Sequence, residues 1–254
     1  MTSHLPLKNE TVLVTGATGG IGRTIVRRVA ELGGHPILHY RSNEHNAQAL
    51  LEAIDGHGTL VRADLAEKFG ARELWEAAEN SVGRIGSLVN NAGMRVTTRI
   101  EDDFDDWSQA WDADLQVNLR APADLCRMAI RHFRTYDGGR IINIASRAGQ
   151  RGYTANHMPY GASKAGLLNL TKTIARSFGD EGIIAIGIAP GFVRTEMAEE
   201  FIRAKGKDAA VGDIPIGEMV EPSEVAELVC FALRPDQRSL SGATLDLNGA
   251  SYVR

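Results

Sequence analysis

Several features that would direct the sequence to other protein classes are scarce or absent. Two cysteines, Cys126 and Cys230, are too few for a disulfide framework, and each lies in an apolar or helical stretch. No apolar run approaches the ~20 residues that a membrane helix requires. The 28 lysines and arginines face 32 acidic residues and form no basic block, which argues against nucleic-acid and anionic-membrane partners. We therefore expect neither nucleic acid nor membrane as a partner.

Signs of export, of a second domain and of a metal site are also lacking. The N-terminal residues lack a basic segment followed by an apolar one, so we expect no signal peptide and a cytoplasmic location. Repeats, low-complexity tracts and linkers are absent, and one domain over residues 1–254 is expected. The seven histidines show no metal-ligand spacing. The acidic run at 101–106 precedes a helix, which favours a solvated helix start over a metal site, and we expect no metal.

Short apolar strands alternate with longer amphipathic helices along the chain. The pattern predicts seven strands, at 11–15, 36–40, 59–63, 87–90, 140–145, 183–188 and 244–247. Helical patterns fill most of the gaps, including 72–82, 107–133, 162–178 and 222–233. Alternating strands and helices imply right-handed crossovers and a parallel sheet that is covered on both faces. The predicted fold class is α/β, a single-domain Rossmann fold with a doubly wound parallel sheet of about seven strands.

A glycine-rich turn joins the first strand to its helix, at the sheet edge where such folds bind ligands. Gly16 suits the tight turn, Gly20 a close approach of backbone to a pyrophosphate, and Gly22 close packing of the helix on the strand. The helix N-terminus then offers unpaired N–H groups and a positive dipole end to phosphates. A glycine-rich turn without a ligand is the alternative, but its place at the start of a βαβ unit favours a nucleotide.

The second strand ends without a carboxylate, which bears on the identity of the nucleotide. An acidic residue there would accept hydrogen bonds from the ribose 2′-OH and repel a 2′-phosphate. The chain instead has Arg41 and Ser42, whose guanidinium donors and hydroxyl suit a phosphate. NADP(H) is therefore favoured over NAD(H). The alternative for Arg41 is a solvated surface arginine.

Tyr160 and Lys164 are four residues apart in a helical stretch, so a phenol and an ammonium group face the same side. A nearby cation stabilises a phenolate and lowers the pKa of tyrosine from its usual value of ~10. Tyr160 would then act as general acid toward a carbonyl or as general base toward an alcohol. Such pairs are common in helices. Ser146, at the end of the fifth strand, favours catalysis because its hydroxyl is placed to hydrogen-bond a substrate oxygen.

Together these motifs resemble the short-chain dehydrogenases/reductases, and most of all their 3-oxoacyl-acyl-carrier-protein reductase type. The matching segments are T-G-x-x-x-G-x-G from Thr15, N-N-A-G from Asn90, Y-x-x-x-K from Tyr160 and P-G-x-x-x-T from Pro190. Asn118 matches the asparagine of the family's catalytic tetrad, although Gln116 replaces the first asparagine of that segment. The resemblance implies that Asn118 distorts its helix and binds a water that links Lys164 to solvent.

The resemblance also implies which residues hold the cofactor. Asp64 and the backbone of Leu65 would contact the adenine, and Asn91–Gly93 would border the adenosine ribose. The Val193 backbone and Thr195 would face the nicotinamide carboxamide. The predicted cofactor-binding residues are Gly16, Thr18, Gly19, Gly20, Ile21, Gly22, Arg41, Ser42, Asp64, Leu65, Asn91, Ala92, Gly93, Tyr160, Lys164, Pro190, Gly191, Val193 and Thr195. The predicted catalytic residues are Asn118, Ser146, Tyr160 and Lys164.

The implied reaction is hydride transfer between NADP(H) and a carbonyl or secondary alcohol. Tyr160 exchanges the proton of the substrate oxygen, Ser146 holds that oxygen, and Lys164 binds the ribose and tunes Tyr160. The family also implies a substrate lid at 192–215 and a homotetramer, in which long helices pair across a two-fold axis.

The sequence is compatible with several functions. The substrate is a small molecule or an acyl thioester, and a 3-oxoacyl group on an acyl carrier protein is favoured. Arg131 and Arg176 are then candidates for docking the carrier, with surface helix arginines as the alternative. A sugar, polyol or other secondary alcohol is the second substrate class. A non-catalytic NADP-binding regulatory protein is the remote alternative, which the presence of Tyr160 and Lys164 disfavours.

Overall fold

A computed structural model describes residues 5–254, without the side chains of some residues between 197 and 209. Its strands are β1 (Thr11–Val14), β2 (His35–Tyr40), β3 (Thr59–Arg62), β4 (Ser87–Asn90), β5 (Gly139–Ile144), β6 (Ile183–Pro190) and β7 (Thr244–Leu247). They form one seven-stranded parallel sheet in the order β3-β2-β1-β4-β5-β6-β7. The predicted fold class is confirmed, and each strand lies within two residues of its predicted bounds.

Helices connect the strands in the described part of the chain. They are α1 (Gly20–Glu31), α2 (Glu44–Glu52), α3 (Gly70–Val82), α4 (Phe104–Leu115), α5 (Ala121–Phe133), α6 (Ala148–Arg151), α7 (Met158–Phe178), α8 (Glu196–Lys205), α9 (Lys207–Val211) and α10 (Pro222–Leu233). The helix predicted at 107–133 is found as α4 and α5, joined by a π-helical turn at Gln116–Arg120. Among the described helices none is long and apolar enough to cross a membrane.

Apolar side chains of each strand point alternately to two cores, one on each face of the sheet. In β1, Val12 and Val14 pack into the core beneath α1 and α10, whereas Leu13 packs into the core beneath α3 and α5. Ile142 and Ile141 of β5 divide in the same way. Because both faces are covered, the strands read as continuous apolar runs.

The topology creates a crevice at one edge of the sheet. β1 pairs with β2 on one side and with β4 on the other, so the connections leave the sheet in opposite directions at β1 and β4. Parallel strands place their carboxyl ends on one edge, where ligands bind at such a reversal. The predicted functional segments, which follow successive strands, are therefore brought to one place.

Candidate active site

A cavity of about 680 Å³ lies at the carboxyl ends of the strands. Most predicted site residues line it, and these are Gly16, Thr18, Gly19, Gly20, Ile21, Gly22, Arg41, Asp64, Leu65, Asn91, Ala92, Gly93, Ser146, Tyr160, Lys164, Pro190, Gly191, Val193 and Thr195. Two predicted residues do not line it: Ser42 is exposed beside the rim, and Asn118 is fully buried. Segments far apart in the sequence thus form one cleft.

The glycine turn between β1 and α1 forms one end of this cavity. Gly16 has a φ of +63°, and a Cβ there would lie 2.9 Å from the Ala92 Cα, so both conformation and space require glycine. Within the described residues, no side chain caps the N-terminus of α1 and its first turn holds no acidic residue. The positive end of the helix dipole therefore faces the cavity uncompensated, which suits a phosphate.

The turn is held from below by the segment after β4. The Thr15 hydroxyl accepts hydrogen bonds from the backbone N–H groups of Asn91 and Ala92, each at 2.9 Å. The Asn91 amide in turn donates to the carbonyl oxygens of Thr15 and Gly16, at 2.9 and 3.2 Å. Asn90 links β4 to β5 by donating to Asn143 Oδ1 at 2.8 Å. Asn90 and Asn91 therefore fix the end of β4 against β5 and against the glycine turn.

A second arginine lies near the predicted 2′-phosphate position. Arg41 is exposed at the rim, and Arg62, the last residue of β3, donates from Nε to the Arg41 carbonyl oxygen at 3.2 Å. Sequence reasoning missed Arg62, although the parallel pairing of β2 with β3 makes the last residues of these strands neighbours. Arg62 therefore lies directly beside Arg41, which is the one of the two that lines the cavity.

Ser146, Tyr160 and Lys164 lie together deeper in the cavity. The Lys164 Nζ donates to the Ile144 carbonyl oxygen at 2.9 Å and lies 5.8 Å from the centroid of the Tyr160 ring. The Tyr160 hydroxyl is hydrogen-bonded to Ser146. These contacts place one acid, one hydroxyl and one ammonium group around the same space.

Burial is the largest cause of the pKa shifts of Tyr160 and Lys164. It raises the pKa of Tyr160 above its usual value, although the hydrogen bond to Ser146 and the charge of Arg95 oppose the shift. It also lowers the pKa of Lys164 to about 8, against the negative charge of Asp114. The expected lowering of the Tyr160 pKa is therefore wrong for this structure. A phenol that keeps its proton suits the role of an acid better than that of a base.

Asn118 lies within the π-helical turn, which confirms the expected distortion of its helix. Its Oδ1 accepts from the Met94 N–H at 2.9 Å, and its Nδ2 donates to the Met94 carbonyl oxygen at 2.8 Å. Nδ2 also donates to Asp114 Oδ1 at 2.9 Å. Asp114 is fully buried, and its pKa is raised by that burial. Sequence reasoning missed Asp114, although its place four residues before Asn118 puts both on one helix face.

The opposite wall of the cavity offers polar and aromatic side chains to a substrate. Arg95 donates from Nη1 to the Tyr153 hydroxyl at 2.9 Å. The Tyr153 ring lies 5.7 Å from the rings of both His157 and Tyr160. The segment predicted as a lid borders the cavity through Phe192, Val193 and Thr195. Arg95, Tyr153 and these three lid residues line the same cavity as the catalytic residues.

Asp213, near the end of the lid segment, is bound to both ends of α6, the short helix after Ser146. Arg147 and Arg151 both contact its carboxylate, at 3.1 and 2.9 Å. Arg131 and Arg176, by contrast, are exposed on α5 and α7 and do not line the cavity. Within the described residues no cluster of histidine, cysteine, aspartate or glutamate is arranged to hold a metal ion.

Comparison with known proteins agrees with this geometry. The short chain dehydrogenase family matches residues 10–206. The chain is 35% identical over 253 residues to the 3-oxoacyl-[acyl-carrier-protein] reductase FabG of Rickettsia conorii, covering 98% of this chain and 99% of that protein. It is 30% identical over 251 residues to the FabG of Staphylococcus epidermidis, covering 96% of this chain and 100% of that protein. The chain belongs to the short-chain dehydrogenase/reductase family and is an oxidoreductase that acts on carbonyl or CH–OH groups.

Proposed function

We propose that the chain is an NADP(H)-dependent reductase of 3-oxoacyl thioesters, with an acyl carrier protein as the carrier. The observation that supports it is the arrangement of Ser146, Tyr160 and Lys164 in the same cavity as the glycine turn. The similar proteins from Rickettsia conorii and Staphylococcus epidermidis, both 3-oxoacyl-[acyl-carrier-protein] reductases, support the substrate class. The raised pKa of Tyr160 keeps its phenol protonated at neutral pH, as a general acid toward a carbonyl requires.

The residues present fit a phosphorylated dinucleotide. The uncapped N-terminus of α1 suits the pyrophosphate, and the two guanidinium groups of Arg41 and Arg62 suit a 2′-phosphate. Asp64, Asn91 and Thr195 would hold the adenine, the ribose and the carboxamide, as the family resemblance implies. Bound in this way, the nicotinamide supplies the hydride.

The chain's own residues supply the proton and the electrostatic support. Tyr160 donates its phenolic proton to the substrate oxygen while Ser146 holds that oxygen by a hydrogen bond. Lys164, held against the Ile144 carbonyl oxygen, binds the ribose and stabilises the phenolate that forms. Asn118 fixes the loop at Met94 beside Lys164 and supports the water that returns the proton.

The assembly and the carrier are part of the same proposal. α5 and α7 share a groove whose lining includes Cys126, Ile130, Leu170, Ile174 and Phe178. We assign it to contacts between subunits of a homotetramer, because an apolar groove on a protein surface usually marks a place that another chain covers. Arg176, exposed on α7 outside this groove, would dock the acidic carrier, whereas Arg131 lines the groove and would lie at the subunit contact.

The test follows NADPH oxidation with a short 3-oxoacyl thioester, using the wild type and Tyr160→Phe, which removes only the phenolic hydroxyl. We expect the variant to lose about 10²- to 10⁴-fold in turnover. Its affinity for NADPH should stay within about threefold, since one hydroxyl is a small part of the dinucleotide contacts.

Three outcomes would contradict parts of the proposal. Tight NADPH binding without thioester reduction would remove the substrate assignment, and activity on sugars or polyols would replace it. Equal turnover by Tyr160→Phe would remove Tyr160 as the acid. Absence of binding to either nicotinamide cofactor would refute the cofactor assignment.

A further inference from the structure

One buried side chain in the cavity wall, His39, is absent from the predicted site. It lies in β2, is 3% exposed, and lines the cavity beside the glycine turn. Both ring nitrogens are engaged by the backbone. Nδ1 lies 3.0 Å from the Gly16 backbone nitrogen, and Nε2 lies 3.2 Å from the Ala63 carbonyl oxygen.

These contacts determine the tautomer of the ring. The Gly16 N–H is a donor, so Nδ1 must be the unprotonated acceptor. The Ala63 carbonyl is an acceptor, so Nε2 must carry the proton. Burial lowers the pKa of His39 to about 4, so that the neutral ring persists at neutral pH. An imidazolium would place an N–H group against the Gly16 N–H.

Residue 39 holds the turn at two consecutive positions. Its side chain accepts from the Gly16 N–H, and its own carbonyl oxygen accepts from the Ala17 N–H at 2.9 Å. Gly16 is the residue with a φ of +63°, where the chain leaves β1 and bends toward α1. The orientation of this peptide therefore depends on His39 as well as on Asn91 from the opposite side.

We propose that His39 is a positioning residue for the dinucleotide: its Nδ1 holds the Gly16 N–H so that the turn keeps the shape that receives the pyrophosphate. The inference rests on the proposed cofactor site. His39 also links the turn to Ala63, next to Asp64, and so couples the expected pyrophosphate and adenine contacts across β2. In its absence the partly buried Gly16 N–H would lose its only protein acceptor among the described residues, and the turn would be free to shift.

Three variants of the full chain separate the two hydrogen bonds. In His39→Asn the side-chain oxygen occupies the Nδ1 position, because both atoms are two bonds from Cβ, and the bond from Gly16 is kept. In His39→Gln the amide reaches the Nε2 position instead, and only the bond to Ala63 is kept. His39→Leu keeps neither. The matched pair Asn and Gln thus tests which nitrogen matters.

The measurement is the Kd for NADPH, titrated by nicotinamide fluorescence, together with KM and kcat. We expect His39→Leu and His39→Gln to bind NADPH about tenfold more weakly, the effect of leaving one partly buried donor without its partner. His39→Asn should stay within about threefold of the wild type. At saturating NADPH kcat should stay within about twofold in all three, since no catalytic group is changed. A purely structural role would instead lower Tm and leave the Kd of the folded protein for NADPH unchanged.

Wild-type affinity in His39→Leu would overturn the inference while leaving the proposed cofactor intact. Equal affinities of His39→Asn and His39→Gln would also overturn it, and this comparison decides the matter if the leucine variant does not fold. If the wild type itself binds no NADPH, the inference falls together with the proposed function.

Discussion

The close contact between α1 and the glycine turn permits a quantitative test through Gly22→Ala. A Cβ on Gly22 would overlap the Gly16 carbonyl oxygen and lie 2.9 Å from both the Ala17 Cα and Asn91 Nδ2. Two of these three neighbours are backbone atoms held by hydrogen bonds, so they yield only if the turn and the helix separate. The backbone of Gly22 itself is not in the left-handed region, and the cost is therefore one of space alone.

The expected loss follows from two opposing terms. Forcing a methyl group into packed surroundings costs about 1–3 kcal/mol. Replacing glycine by alanine also restricts the unfolded chain, which returns about 0.4–1 kcal/mol. Because the added Cβ overlaps backbone, we take the upper end of the cost and expect the free energy of unfolding of Gly22→Ala to fall by about 2–2.6 kcal/mol. Tm should then fall by about 4–10 °C for a chain of this size.

Gly19→Ala is the matched control in the same turn. Its Cβ would lie 3.4 Å from the Gly16 carbonyl oxygen, and its φ of −74° is open to any residue. Gly19 is the N-cap of α1, where alanine is less favourable than glycine, and this cost opposes the gain from a less flexible unfolded chain. We therefore expect the stability of Gly19→Ala to stay within about 1 kcal/mol of the wild type. Urea denaturation of the cofactor-free proteins measures both, so that contacts with a ligand do not enter. Equal stabilities of the two variants, or a Gly22→Ala protein as stable as the wild type, would refute the packing argument.

Three further predictions concern charge and reactivity. The pKa of Lys164 is about 8, and the negative charge of Asp114 raises it. Asp114→Asn removes that charge, so Lys164 should lose its proton, and the reductase rate should decline, at lower pH than in the wild type. An unchanged pH profile would contradict this. Arg41→Leu should lower the ratio of kcat/KM for NADPH to that for NADH about tenfold, through loss of a charged contact to the 2′-phosphate, with NADH kinetics as the control. Burial raises the pKa of Cys126 and of Cys230 to about 12, so a disulfide reagent should modify neither in the folded protein and both in urea.

Apolar patterning was sufficient to predict the sheet, because strands buried on both faces differ sharply from their surroundings. Thr244–Leu247 and Ser87–Asn90 are found with the predicted bounds. Short polar helices were harder. α2 buries only Ala47 and Leu50, so its sequence carries little periodic signal. The apolar pattern at 107–133 also gives no sign of the π-helical turn at Gln116–Arg120, because one surplus residue hardly disturbs a pattern over 27 positions. Only the family resemblance implied a distortion at Asn118.

Most residues that directly follow a strand in the site were predicted, whereas three residues that act through contacts with other segments were missed. Arg41 follows β2 directly, and a position of that kind is readable from the order of elements. His39, Asp114 and Arg62 act through partners elsewhere in the chain, and His39 meets Gly16 only after β1 and β2 have paired. The raised pKa of Tyr160 was also beyond prediction, because burial is a property of the folded chain.

The π-helical turn makes residue count, and not only residue type, a requirement of the site. A π turn uses one residue more than the α-helical turn that it replaces. Deleting one residue between 116 and 120 would let α4 and α5 merge into a regular helix with better backbone geometry. Each residue of an α-helix advances by about 100°, so Asn118 would rotate away from Met94 while α5 kept its apolar face on the core. The contacts of Asn118 therefore favour the less regular, π-helical form. A variant one residue shorter would gain helical regularity there and lose the contact between Asn118 and Met94.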